Sequence, residues 1–99
     1  MGLRFQLQAL LESIAENVYF QPPPNIDLSY PCIIYARDGS HVNHADDILY
    51  QHVKRYMVTV IDRNPDSNLP DMVENLRWCK YDRFYALENL NHHVFSLFF

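Results

Sequence analysis

Glycine is almost missing from this chain, with only Gly2 and Gly39 among 99 residues. A phosphate-cradling loop needs several glycines to bring backbone N–H groups against the anion, so that kind of nucleotide site is excluded. Cysteine is equally scarce. Cys32 and Cys79 allow at most one bridge, and both sit in apolar, strand-like runs; buried free thiols in a reducing compartment are expected. Positive charge is short as well, with eight Lys and Arg against twelve Asp and Glu and a net charge of −4. That balance is the reverse of a nucleic-acid footprint. No apolar run approaches the roughly 18 residues of a membrane span. The opening MGLRFQ lacks the charged, apolar and cleavage regions of a secretion signal. It also lacks Ser or Thr at position six, which makes it a poor myristoylation site. The expectation is a protein made and used in the cytoplasm.

Apolar side chains are plentiful: 48% of residues are hydrophobic and 14% aromatic. A chain of 99 residues makes one domain, residues 1–99. It buries only about 60–65% of its unfolded surface, so some of this apolar content is expected at an interface.

Leu3, Leu7, Leu10, Leu11 and Ile14 recur at i, i+4, i+7, i+8 and i+11, the stripe of an amphipathic helix. Phe5 lies nearly opposite and is a candidate contact with a neighbouring subunit. Asn17 to Gln21 reads as a short edge strand, ended by Pro22-Pro23-Pro24, which cannot continue a helix or a central strand. The hexapeptide Glu16 to Gln21, ENVYFQ, differs from a common tag-removal protease site only at Val18, but proline follows it where cleavage needs a small residue. It reads as native sequence.

Cys32 to Val42 predicts a second strand and Lys54 to Asp62 a third, with Tyr56, Val58 and Val60 alternating with Met57, Thr59 and Ile61. Between them, about residues 39–52, GSHVNHADDILYQH is a long polar connection of the kind that often carries function. Ser67 or Asn68 caps a second helix with Pro70 in its first turn and Leu69, Met72, Val73 and Leu76 as its stripe. Trp78 to Leu87 and His92 to Phe99 are the last two strands. The predicted fold is α+β, in the order α-β-β-β-α-β-β, with two helices gathered on one face of a mainly antiparallel sheet of about four to five strands.

Several strands are apolar on both faces, whereas a sheet with one wet face should alternate. Two helices, each about 10 Å wide, cover one face of roughly four strands. The second face then needs a partner, and unpaired strand edges offer another route to assembly. Tyr35, Tyr56, Val58, Phe95, Leu97 and Phe99 are the expected exposed-face contacts, joined by His41, His44, Asp46, Asp47 and Tyr50 of the long connection.

Catalytic patterns are lacking. His41, His44, Asp46, Asp47 and His52 have ligand chemistry but not the spacing of a specific metal site. His92 and His93 point to opposite strand faces and cannot share a ligand. Asp82 and Arg83 are expected to form local or intersubunit ion pairs. There is no nucleophile elbow, and the apolar settings of Cys32 and Cys79 argue against an activated thiol. Neither an enzyme nor a cofactor is expected.

Four blocks in order, VYFQPPP, YPCIIYARD, YMVTVIDRNPDSNLPDMVENL and CKYDRFYALENLNHHVFSLFF, resemble a family of small tail-terminator or tail-completion proteins of tailed bacteriophages. The resemblance runs from about Val18 to Phe99 and is weakest over Gly39 to His52. It implies a structural virion protein of the neck: a ring, typically hexameric, that caps the tail tube and joins it to the head connector or stopper protein. Genome DNA would pass through without specific binding, and an acidic lumen would repel its phosphates. The implied location is the virion neck, assembled in host cytoplasm, away from membranes. Two alternatives stay open: another neck component, such as a head-closure or adaptor protein, and a small metal-binding module built on the histidine-rich connection.

Overall fold

The computed structural model describes residues 3–38 and 54–99. Helix α1 (Leu3–Glu12) forms where the leucine stripe predicts it, and Leu7 and Leu11 on that stripe are fully buried. Its last turn tightens, with Ile14 N donating to Leu11 O at 2.9 Å and the Ser13 hydroxyl donating to Leu10 O. Such i→i+3 bonds satisfy carbonyls that a helix end leaves open.

Strand β1 (Val18–Phe20) is short and lies at the sheet edge, as the prolines after it require. It pairs in parallel with β2 (Cys32–Arg37), Val18 opposite Ile33 and Phe20 opposite Tyr35. Among the described residues this is the one parallel ladder of an otherwise antiparallel sheet. The chain returns between the two through a proline-rich stretch, which Gln21 enters with a φ of 45° and which contains a cis Tyr30–Pro31 peptide. Asn17 Nδ2 donates to Pro31 O, and Ser29 N donates to the Tyr19 hydroxyl. These bonds hold the stretch beside the sheet face that Tyr19 occupies.

Strand β3 (Arg55–Asp62) runs antiparallel to β2. The turn after it is built from side chains: Asp62 Oδ1 accepts from Asn64 N, and Asn64 Oδ1 accepts from Asp66 N. Of the two candidate caps, Ser67 makes the bond, its Oγ accepting from Leu69 N, while Asn68 makes no side-chain cap bond. Helix α2 (Leu69–Glu74) carries the chain across to β4 (Cys79–Leu87) at the far edge. Strand β5 (Leu90–Phe98) turns back between β3 and β4, giving the sheet order β1-β2-β3-β5-β4. The turn residues Glu88 and Asn89 have φ of 55° and 66°, the left-handed pair of a two-residue hairpin whose twist matches its strands.

The fold is therefore α+β in the expected order. Both helices lie on one face: Leu7, Leu11 and Ala15 of α1 and its extension, and Val73 of α2, share one cluster with Ile33, Tyr35, Tyr56, Val58, Val60, Phe95 and Leu97.

That cluster corrects an expectation. Tyr35, Val58 and Phe95 have no exposed surface, Leu97 keeps 1% and Tyr56 3%. These residues are the covered face of the sheet, not an uncovered one. Phe99 also packs against the core, half-buried. The alternate set, Ile34, Ala36, Met57, Thr59, Ser96 and Phe98, faces away from the helices. Part of that second face is itself buried, at Cys32, Ile61 and Val94.

Candidate assembly surface

Strand β4 is exposed along nearly its whole length and its outer edge pairs with no strand among the described residues. It nonetheless carries several large apolar side chains. Tyr81, Phe84, Tyr85 and Leu87 are 37–57% exposed, and Trp78 just before the strand is 52% exposed. Opposite β5 they form an aromatic ladder. Tyr81 meets the Phe95 ring edge-on at 5.1 Å, Phe84 lies 4.9 Å from His93, and Tyr85 stacks on His92 at 4.5 Å. As the sequence implied, the two histidines serve opposite faces.

A bulge divides the strand. Tyr81 pairs with Phe95 but Arg83 pairs with Val94, leaving Asp82 as the extra residue. One residue inserted on one side of a ladder reverses which way the following side chains point. Tyr81 and Phe84 therefore share the helix side, while Tyr85 and Leu87 share the other. The edge shows apolar groups on both faces. Asp82 and Arg83 pair locally, Arg83 Nη1 donating to Asp82 Oδ2 at 3.2 Å.

Trp78 holds a φ of 62°, an uncommon conformation for a bulky non-glycine residue. Its carbonyl accepts from Phe98 N at 3.1 Å, which fixes the backbone where α2 hands over to β4. The Arg77 guanidinium lies 5.3 Å from its ring. Strained, exposed aromatic residues of this kind cluster at functional surfaces. Sequence reasoning did not single out Trp78, Phe84, Tyr85 or Leu87; the available signal was the spacing of Tyr81, Phe84, Tyr85 and Leu87, which breaks strict alternation where the bulge falls.

Of the sequence-predicted contacts, Phe5 is 64% exposed, and its ring carries the Arg4 guanidinium at 4.4 Å. His41, His44, Asp46, Asp47 and Tyr50 lie outside the described residues. Among the described residues, no three His, Cys, Asp or Glu side chains come together as metal ligands, and no helix is long and apolar enough to cross a membrane.

The thiols are poorly placed for chemistry. Burial pushes Cys32 up to about 11, with Asp62 adding to the rise, and burial pushes Cys79 up to about 11, with Glu74 adding to it. Neither is bridged. Thiolate is the reactive form, and the raised pKa values favour the thiol form of both at neutral pH. Burial also lowers the pKa of His93, against a smaller upward pull from Asp71 and Asp62.

The class defined by this fold is a two-layer α+β domain with a two-faced aromatic edge that is unpaired among the described residues. Comparison of the chain with known protein families, with curated proteins and with solved structures finds no match.

Proposed function

We propose that this protein is a non-enzymatic structural component of a tailed-phage neck, forming a ring that caps the tail tube and joins the tail to the head connector. The observation that carries the reading is the β4 edge. A monomer rarely leaves a long strand edge both unpaired and lined with aromatic side chains, because such an edge recruits other chains. A subunit that is soluble alone and shields this edge only on assembly satisfies that demand. The four sequence blocks resembling tail-terminator proteins supply the biological setting, and β4 and β5 fall within the last of them. A ring needs a heterologous contact that closes after a fixed rotation, and the domain offers different surfaces at its two lateral edges.

The contact residues differ from those the alternating pattern suggested. Trp78, Phe84, Tyr85 and Leu87 are the anchors, with Phe5 as a further exposed aromatic. A few such groups should dominate the binding energy. The acidic balance suits a lumen that lets DNA slide, because carboxylates repel phosphate; a lumen that proved basic would contradict this part of the reading. The decisive experiment is negative-stain imaging of particles produced without the protein. Overlong tails, or tails without heads, support the proposal. Normal infectious particles would refute it.

A further inference from the structure

The chain is acidic overall, yet Arg4, Arg37, Lys54 and Arg55, half of its eight Lys and Arg, gather at one end of the sheet. There β1 and β2 end and β3 begins. Arg4, Arg37 and Lys54 line an open depression of about 400 Å³ whose walls are Phe20 and Tyr56. Arg4 is fixed: its guanidinium lies 4.4 Å from both the Phe5 and Phe20 rings, and Nη1 donates to the Tyr35 hydroxyl, which donates on to Gln8 Oε1. Arg55 is already occupied, its Nε lying 3.1 Å from Asp38 Oδ2. Arg4, Arg37 and Lys54 have no carboxylate partner among the described residues. Three unneutralised cations around one hollow repel each other, and a fixed guanidinium among them presets the site for an anion.

The complementary surface lies at the other lateral edge of the same layer. Residues 62–74 hold Asp62, Asp66, Asp71 and Glu74 against Arg63 alone. Asp71 and Glu74, one turn apart on α2, are exposed and have no basic partner among the described residues. Helix α2, which carries both, packs against β4. Met72 between them is 46% exposed. Helix α1 packs on β1 and α2 on β4, at opposite ends of the strand order. A sideways repeat of the domain brings one copy's α2 to the next copy's α1 edge.

We infer that the Arg4–Arg37–Lys54 hollow of one copy receives the Asp71–Glu74 face of α2 from the next, as the charged part of a head-to-tail contact. This rests on the ring reading and names its register. Opposite charge fixes partner orientation and suppresses wrong contacts. It forbids a two-fold dimer through either patch, because each patch repels its own kind.

The test uses two full-length variants, Arg37→Glu with Lys54→Glu, and Asp71→Lys with Glu74→Lys. All four positions are exposed, and circular dichroism melting checks that both fold. Association is read by sedimentation and by assembly onto particles lacking the protein. Each variant alone is expected to associate about 100-fold more weakly than wild type, or worse. An equimolar mixture regains assembly, because every hollow then meets an α2 of opposite sign in an alternating ring. Raising salt from 0.1 M towards 1 M, which shortens the screening length from about 10 Å to about 3 Å, weakens the wild-type contact. Variants that assemble alone as wild type does, or a mixture that fails to recover, overturn the inference while leaving the ring intact. Loss of inorganic phosphate binding in the first variant, with assembly unchanged, assigns the hollow to a free anion and likewise overturns it. Wild-type protein that neither associates nor joins such particles refutes the ring reading itself, a different result.

Discussion

Trp78 offers a direct separation of strain from stability. A left-handed backbone costs a bulky L-residue about 1–2 kcal/mol relative to glycine, and Trp78 pays it at a φ of 62°. The ring returns little in the monomer. With 52% of it exposed, burial contributes about 1 kcal/mol, roughly half of what a fully buried aromatic side chain gives. Two substitutions isolate the backbone term. Trp78→Ala and Trp78→Gly both lose the ring, so they differ only in left-handed strain and in unfolded-chain entropy. Alanine at a positive φ destabilises by more than glycine's entropic cost of about 0.4–1 kcal/mol. The glycine variant is therefore expected to be the more stable by about 1 kcal/mol, a difference of about 4–8 °C in melting temperature for a domain of this size. Because Trp78 is the only tryptophan, unfolding is followed by far-ultraviolet circular dichroism. Both variants should fold and both should fail to assemble. An alanine variant at least as stable as the glycine variant would refute the strain assignment, and normal assembly by both would remove Trp78 from the interface.

Tyr56→Asp loses about 2 kcal/mol of burial and places a carboxylate in the core at a cost of about 3–5 kcal/mol, together a third or more of a total stability of about 5–15 kcal/mol. Phe84→Asp, at a site 49% exposed, shifts the urea midpoint little and abolishes assembly. With Cys32 and Cys79 both raised to about 11, the folded protein holds thiol protons that the unfolded chain releases near the ordinary pKa of about 8.5. Stability is thus undiminished below about pH 8.5 and falls as pH rises towards 11, while thiol-reagent labelling of the folded protein at pH 8 stays slow. The lowered His93 pKa acts at the other end. The unfolded chain binds that proton first, so stability is lost as pH falls below about 6.5, the pKa of free histidine; His93→Gln flattens this part of the profile in pH-dependent urea unfolding. Replacing the turn Glu88-Asn89 with Asn-Gly relieves two left-handed residues and should stabilise by about 1 kcal/mol in the same assay.

The elements were legible because their periods are. Leu7 and Leu11 fall on a helical stripe, Tyr56, Val58 and Val60 on an alternating one, and Pro22 to Pro24 stop β1 and keep it at an edge. What the pattern left ambiguous was the parity of the central strands. In β3 both sets are apolar, so alternation names two faces without saying which the helices cover. The weak signal was polar. Thr59 stands between Ile34 and Val94, and Ser96 stands opposite Met57, so the set containing the hydroxyl groups is the wetter one and Tyr56, Val58 and Phe95 go inside. The bulge at Asp82 was harder to read, since a single inserted residue is visible only through the partner strand. The parallel pairing of β1 with β2 depends on a proline-rich return with no periodicity of its own.

These corrections move the apolar excess without removing it. The central strands hide their aromatics under α1 and α2, and part of their second face is buried too. The edge strand does neither, because α2 is only six residues long and cannot span a nine-residue strand that rises about 3.3 Å per residue. A strand of that length reaches nearly 30 Å, whereas six helical residues cover about 9 Å. The bulge that follows Tyr81 also turns Tyr85 and Leu87 to the opposite face, where neither α1 nor α2 reaches. An edge that the described residues leave uncovered on both sides is a poor solution for a monomer and a workable one for a subunit whose neighbour occupies that edge.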